Sequence, residues 1–290
     1  MGIEGKILER LGAREKKEGS LPKTLEFYRR LLRIQSEARF RIGEVRPELS
    51  QEAISDRLGS GRPLLEFGDL AIDWQLAQGI LEEVTALFRS YPEISTEMPA
   101  DLKDSLSSPG FLKEAVRTWF EGAQSPPRMA PGSANEAFLD FLIPAIFKPF
   151  LVGHREALLG FVNQELWRRG YCPICGGSPD FAFLDRERGS RWLMCSRCDA
   201  EWLFQRLECP NCGTQDQDAL AYFTDDKGLY RLYVCEACRQ YLKAIDSRLA
   251  ADEVLLPLER FLTLDIDIQA RTSGYGPNDQ TRKVEPSPNC

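Results

Sequence analysis

Eight cysteines, arranged as four Cys-x-x-Cys pairs between Cys172 and Cys238, constrain this chain more than any other feature. The pairs are Cys172/Cys175, Cys195/Cys198, Cys209/Cys212 and Cys235/Cys238. Two cysteines three positions apart can grip one metal ion from a tight knuckle. A second knuckle then completes a tetrahedron with metal–sulfur bonds of about 2.3 Å. The spacings C-x2-C-x19-C-x2-C and C-x2-C-x22-C-x2-C lie close to those of four-cysteine zinc sites. An internal repeat sets the expected grouping. Cys172-Pro-Ile-Cys175-Gly176 returns 37 positions later as Cys209-Pro-Asn-Cys212-Gly213, and each copy is followed by a hairpin and a second pair. Such a duplication favours two sequential sites over a cross-brace joining the first pair to the third. One ion is expected at Cys172, Cys175, Cys195 and Cys198, and another at Cys209, Cys212, Cys235 and Cys238.

The neighbours of the cysteines suit knuckles. Pro173 and Pro210 pre-set the turn, while Gly176 and Gly213 can adopt the positive φ that follows the second ligand. The equivalent places in the later knuckles are Asp199, which tolerates that conformation, and Arg239, which does so less easily. A centre closed by four sulfurs has no open position for a substrate, so the metals are expected to be structural and hydrolysis at them is not. Zinc and iron both suit tetrahedral sulfur, and the ligands do not choose between them. The ninth cysteine, Cys290, is the last residue and reads as a free thiol.

Residues 1–170 read as a helical domain. Phe27, Leu31, Ile34 and Ala38 recur at helical spacing, as do Leu76, Ile80, Val84, Leu87 and Tyr91 before Pro92. A further helix covers about Pro109 to Gly122. The stretch Gly59 to Pro63 reads as a loop, and Gln124 to Gly132 as a linker. Ser133 and Glu136 form a capping box ahead of the apolar run Phe138 to Phe150, which reads as bundle core. A last helix is expected over His154 to Arg169, with Leu158, Phe161, Val162 and Leu166 inward and Gly170 at its left-handed end. From Tyr171 the pattern turns to short strands. Phe181/Phe183 and Trp192/Met194 flank a turn at Glu187 to Ser190, Glu201 to Arg206 is strand-like, and a hairpin is expected around Asp225 to Gly228. After Tyr241 the pattern returns to helix through about Ala270. The expected class is α+β: a helical bundle (1–170), two tandem zinc-ribbon units (171–206 and 207–245), a C-terminal helix (246–271) and a disordered tail (272–290).

Composition narrows the function. With 37 Lys+Arg against 44 Asp+Glu, the net charge is −7, which disfavours phosphate backbones and anionic lipid. From Cys172 to Gln240 there are eight basic and eleven acidic residues, and each divalent centre with four thiolates adds about two negative charges. No nucleic-acid partner is expected. Charged residues fill the first twenty positions, without an export signal. The run Phe138 to Val152 is broken by Asp140, Pro144, Lys148 and Pro149 and falls short of a membrane span. A cytoplasmic location without membrane insertion is expected. His154 is the single histidine, so no His-dependent triad is available; it reads as a packing or capping residue, and no catalytic residue is assigned.

The cysteine region resembles the formate dehydrogenase accessory protein family, FdhE. The resemblance rests on Cys172-Pro-x-Cys-Gly-Gly-Ser-Pro179 and on Arg191-Trp-Leu-Met-Cys195-x-x-Cys198-x-x-Glu201-Trp202-x-x-x-Arg206-x-x-Cys209-x-x-Cys212. It continues through Cys235-x-x-Cys238-x-x-Tyr241-Leu-Lys243, Leu264-Asp265 and Gly274-Tyr275, whereas the family's Asn-Pro-Phe near the C-terminus is missing. The resemblance implies an accessory factor, not an enzyme, that binds the catalytic subunit of formate dehydrogenase during maturation. It also implies a helical N-terminal domain joined to two rubredoxin-like units that hold iron or zinc. An iron redox protein or a thiol relay is the alternative, ahead of a nucleic-acid-binding ribbon.

Overall fold

A computed structural model describes residues 2–94, 100–106, 108–122 and 134–277. The chain divides into two compact units, Met1–Pro47 with Glu66–His154, and Glu48–Leu65 with Arg155–Cys290. Seven helices precede the sheet among the described residues: α1 (Ile3–Glu18), α2 (Lys23–Ile42), α3 (Gln51–Gly59), α4 (Trp74–Arg89), α5 (Ala100–Leu106), α6 (Pro109–Glu121) and α7 (Ala134–Leu158). α3 belongs to the second unit, as do the last four residues of α7, and the rest of the helical residues to the first.

The first unit is held by the apolar faces that the periodicity picks out. Leu76, Ile80, Val84 and Leu87 of α4 are buried with Tyr91, and they meet Phe27, Leu31 and Ala38 of α2 in one core. Asp73 starts α4 by accepting from the Gln75 and Leu76 N–H groups at 3.0 Å each. The core is completed by Phe138, Leu142, Ile146, Phe147 and Phe150 of α7. This helix passes through two prolines, Pro144 and Pro149. A proline inside a helix cannot bond the carbonyl four residues earlier, and for Pro149 that carbonyl is on Ala145. The buried side chain of Gln35 donates to it at 2.8 Å, so a polar residue of α2 satisfies what the proline leaves free. His154 is buried at the end of this unit with its Nδ1 2.9 Å from the Phe150 carbonyl, the packing role read from the sequence. Burial lowers its pKa.

The second unit is built on one sheet. Its strands are β1 (Pro179–Leu184), β2 (Arg191–Cys195), β3 (Glu201–Phe204), β4 (Leu220–Thr224), β5 (Tyr230–Cys235), β6 (Gln240–Asp246) and β7 (Gly276–Pro277), followed in the chain before β7 by α8 (Leu256–Leu262) and α9 (Leu264–Thr272). The order is β3-β2-β1-β6-β5-β4, with β7 pairing β6. Each cysteine repeat supplies three antiparallel strands, β1–β3 and β4–β6. The two sets merge because β1 and β6 run parallel, Phe181 beside Lys243 and Leu184 beside Asp246. Both hairpins form where turn residues mark them. Asp185 takes the N–H groups of Arg188, Gly189 and Ser190 in the first, and Asp225 accepts from Tyr230 N–H in the second.

Three expectations change. The helix over His154 to Arg169 does not form: α7 ends at Leu158, a 3-10 turn covers Leu159–Phe161, and Phe161 and Leu166 are exposed. The segment is drawn into irregular backbone by the sheet. Trp202 Nε1 donates to the Arg169 carbonyl at 2.8 Å, and Gln164 accepts from Leu203 N–H at 3.2 Å. Gly170 is needed for close approach rather than as a helix cap, since a Cβ there would fall 1.8 Å from the Pro210 carbonyl oxygen. Secondly, Tyr241 to Asp246 is strand, and the helix after it splits in two at Thr263. Lys243 explains the break by donating to the carbonyls of Arg260 at 3.0 Å and Thr263 at 3.2 Å. Thirdly, Gly276–Pro277 is paired to β6 rather than disordered. The linker at 124–132, Ser133 of the capping box, residues 278–290 of the tail and Cys290 lie outside the described residues.

Candidate metal centres

The eight paired cysteines gather as two groups of four, Cys172, Cys175, Cys195 and Cys198 in one and Cys209, Cys212, Cys235 and Cys238 in the other, with all Sγ atoms of a group within 4.8 Å of one another. This is the sequential grouping expected from the repeat. In the first group, Cys172 and Cys198 sulfurs lie 3.6 Å apart, Cys175 and Cys195 3.5 Å, and Cys175 and Cys198 3.6 Å. In the second, Cys209–Cys238 and Cys212–Cys235 are each 3.7 Å. A tetrahedron with bonds of about 2.3 Å has edges of about 3.8 Å, so both groups are of the size one ion needs. A disulfide requires about 2.05 Å, and the eight thiols are free.

Four copies of one local structure position the sulfurs. In each, the first cysteine's carbonyl accepts from the N–H four residues on: Gly176 to Cys172 at 3.0 Å, Asp199 to Cys195 at 3.3 Å, Gly213 to Cys209 at 2.9 Å and Arg239 to Cys235 at 2.8 Å. That fourth residue has positive φ every time: 71° at Gly176, 54° at Asp199, 72° at Gly213 and 58° at Arg239. Asp199 and Arg239 are the only non-glycine residues with positive φ among those described. Arginine is poorly suited to this region, and its surroundings hold it there. The Gly276 N–H bonds the Arg239 carbonyl at 2.8 Å, and the guanidinium lies 4.3 Å from the Tyr275 ring centre. Backbone N–H groups of Ile174 and Arg197 approach the Cys172 and Cys195 sulfurs at 3.4 and 3.3 Å, donating to the thiolates.

The family model described as "FdhE, central domain" matches residues 171–206, the first cysteine repeat. The chain is 26% identical to the FdhE homolog of Aquifex aeolicus over 87% of its length and 84% of that protein. It is 32% identical to the FdhE homolog of Shewanella sp. strain MR-4, where the match spans 39% of this chain and 38% of the relative's length. The crystal structure of the FdhE protein from Pseudomonas aeruginosa superposes with a TM-score of 0.62 at 22% identity, covering 96% of this chain and 93% of that one. The chain is thus similar to FdhE proteins in its first cysteine repeat, along most of its length and in its fold.

Within the chain the two centres differ in their surroundings. The first is sealed: Cys172, Cys195 and Cys198 have no exposed surface and Cys175 has 3%. Part of the seal is the loop after α3. The Leu64 and Leu65 N–H groups bond the Pro173 and Ile174 carbonyls at 2.8 Å each, and Tyr171 donates to the Gly61 carbonyl at 2.7 Å. Burial pushes the Cys172 and Cys198 thiols well above their ordinary range. Hydrogen bonds from its three thiol neighbours hold Cys175 well below it, with Arg197 adding to the effect. Burial at this depth disfavours bare thiolates, so the four sulfurs could ionise together only beside a cation, which is the requirement a divalent metal meets. The second centre is open on one side, with Cys212 exposed and Cys238 half-buried.

Several supporting residues carry no signal in cysteine spacing. Arg260 of α8 bonds Asp180 at 2.9 Å, Asp199 at 3.0 Å and the Cys195 carbonyl at 3.0 Å, fixing the second knuckle of the sealed centre. Asp267 of α9 accepts from Lys243 at 2.6 Å and from the Tyr241 hydroxyl at 2.8 Å. Arg191 of β2 reaches the carbonyls of Gln205 and Glu208 just before Cys209, and burial lowers its pKa to about 10. The resemblance singles out Arg191, Tyr241 and Lys243 by position, and these contacts give the reason. Arg260 and Asp267 have no such marker, because their partners lie 61 and 24 residues away for Asp199 and Lys243 respectively.

Proposed function

We propose that the protein is an accessory factor for formate dehydrogenase that binds the catalytic subunit of that enzyme and is needed to form it in active state. The observation that carries this reading is the FdhE likeness along most of the chain, joined to two four-sulfur centres. Cys172, Cys175, Cys195 and Cys198 hold one divalent ion, and Cys209, Cys212, Cys235 and Cys238 a second, zinc or iron in each. Bound there, the ion supplies a cross-link between two knuckles rather than a reactive position, because four thiolates complete its tetrahedron. The chain itself then performs recognition, not catalysis, and does so in the cytoplasm. No helix among the described residues is long and apolar enough to cross a membrane, which fits that location. The acidic balance supports a protein partner over nucleic acid.

Deleting the gene and measuring formate oxidation tests the role directly. Activity should fall and return on complementation, and the catalytic subunit should co-purify with a tagged chain. Full activity without the gene would end the proposal. A second reading, an iron redox centre or thiol relay, is favoured by one observation only: the exposed Cys212 and half-buried Cys238. A colourless protein holding two zinc ions, with no absorbance change on reduction, removes the iron version. Failure of the thiols to exchange with a disulfide while metal is bound removes the relay.

A further inference from the structure

The main path of the sheet ends at β3 on one side and β4 on the other, and the chain treats these edges differently. The β3 edge is covered by its own unit, through Gln164 on the Leu203 N–H and the Arg169 carbonyl on Trp202. Among the described residues, no strand pairs with the outer side of β4. Its ladder with β5 runs from Leu220 opposite Cys235 to Thr224 opposite Arg231 without a register shift. Bonds from Glu236 N–H to the Ala219 carbonyl and from Asp225 N–H to the Tyr230 carbonyl fix the alternation at both ends. Ala221 and Phe223 therefore face β5, and the N–H and C=O groups of Leu220, Tyr222 and Thr224 point away from the sheet.

An edge like this invites another strand, and proteins ordinarily blunt it with lysine, proline or a bulge. The strand Leu220–Thr224 has none of them. It is apolar instead: Tyr222 is 54% exposed and Phe223, on the opposite face, 59%. Its ends are acidic. Asp216 and Asp218 precede it and Asp225 and Asp226 follow it, all exposed, with Lys227 as the one cation from 216 to 227. A second copy of this chain added edge to edge would bring carboxylates against carboxylates in either direction.

We infer that the free edge of β4 is a docking site for an extended segment of a partner protein that carries apolar residues between lysines or arginines. Main-chain hydrogen bonds to Leu220, Tyr222 and Thr224 hold the segment, Tyr222 and Phe223 pack its apolar side chains, and the four aspartates select its charge. The docked strand passes beside the open metal centre, since Leu220 pairs with the ligand Cys235. The inference rests on the accessory reading only in taking the partner to be a protein.

The test uses the full, metal-loaded chain and fluorescent peptides in which valine alternates with arginine, or with glutamate as the charge control. The arginine peptide should bind roughly tenfold or more tightly than the glutamate one and weaken as salt rises. Methylating alternate backbone nitrogens of the arginine peptide gives two sets. One should lose binding by roughly tenfold and the other keep it, because only one set faces β4. Equal binding of both sets, or of both charges, overturns the inference. Tyr222→Pro removes an outward N–H and no ladder bond, so it should lose the peptide while retaining its metal content. A dimer in sedimentation that Tyr222→Pro dissociates would assign the edge to a second copy and overturn the inference as well. A chain that co-purifies with formate dehydrogenase yet ignores the arginine peptide sinks the edge and leaves the accessory role standing.

Discussion

The two cysteine clusters come from one repeated motif and end in unlike environments. Knuckle backbone, sulfur spacing and the positive φ after each pair are the same in both. The first cluster nevertheless lies under the loop after α3 and against Arg260 of α8, while the second has one thiol in solvent and another half-covered. The identical part is local, fixed by four or five consecutive residues per knuckle. The difference comes from segments far away in the chain. A duplicated metal motif can thus be locked in one copy and left accessible in the other without any change to its ligands.

The largest expected effect lies in removing a ligand. Cys198→Ser takes a thiolate from a centre that water cannot reach, so the second unit should lose on the order of 5 kcal/mol or more, against the ~10–16 kcal/mol typical of structural zinc in small peptides. Circular dichroism and metal analysis should report unfolded unit and lost ion together. Cys212→Ser should release one ion and leave the first centre occupied. Equal outcomes for the two variants would erase the difference between the two centres.

Next comes the buried cation of β6 that ties α8 and α9 to the sheet. Lys243 is 3% exposed and paired to Asp267, so Lys243→Met leaves a partly buried carboxylate without its partner and should cost about 3 kcal/mol in denaturant titrations. Replacing both as Lys243→Met with Asp267→Leu should recover much of that loss, because a buried pair contributes little over apolar packing. Chelator challenge sharpens the comparison by rate: a chromogenic chelator should remove the ion at Cys212 and Cys238 first, and the ion under the α3 loop roughly tenfold more slowly or beyond. A single exponential accounting for both ions would contradict it. The smallest effect is expected at Arg239→Gly. Relief of the positive-φ strain, about 1 kcal/mol, is offset by loss of the stacking on Tyr275, about 0.5–1 kcal/mol, and thermal melting should shift by little.

Much of the site is legible in the sequence because its logic is short-range. The repeat from Cys172 and Cys209 gives the grouping, and Gly176, Gly213, Asp199 and Arg239 stand where a left-handed residue is needed. The amphipathic faces of α2 and α4 are equally legible, since helical periodicity is a local record of burial. The segment after His154 misleads for the opposite reason. Its apolar spacing is helical, yet the Arg169 carbonyl accepts from Trp202 of β3 and Gly170 lies against Pro210, and these distant partners outweigh a local preference.

The sequence by itself determined that there would be four cysteine knuckles, favoured their grouping in chain order through the repeat, and set a helical region ahead of a strand-rich one. Tertiary structure alone decided that β1 and β6 join the repeats into a single sheet, that one centre is sealed and the other open, and that β4 has no outer strand partner among the described residues. The physical reason is range: knuckles, turns and helix faces are set by residues within a few positions of each other, whereas parallel pairing and solvent exclusion depend on contacts between residues 60 or more positions apart, such as Phe181 with Lys243 and Leu64 with Pro173.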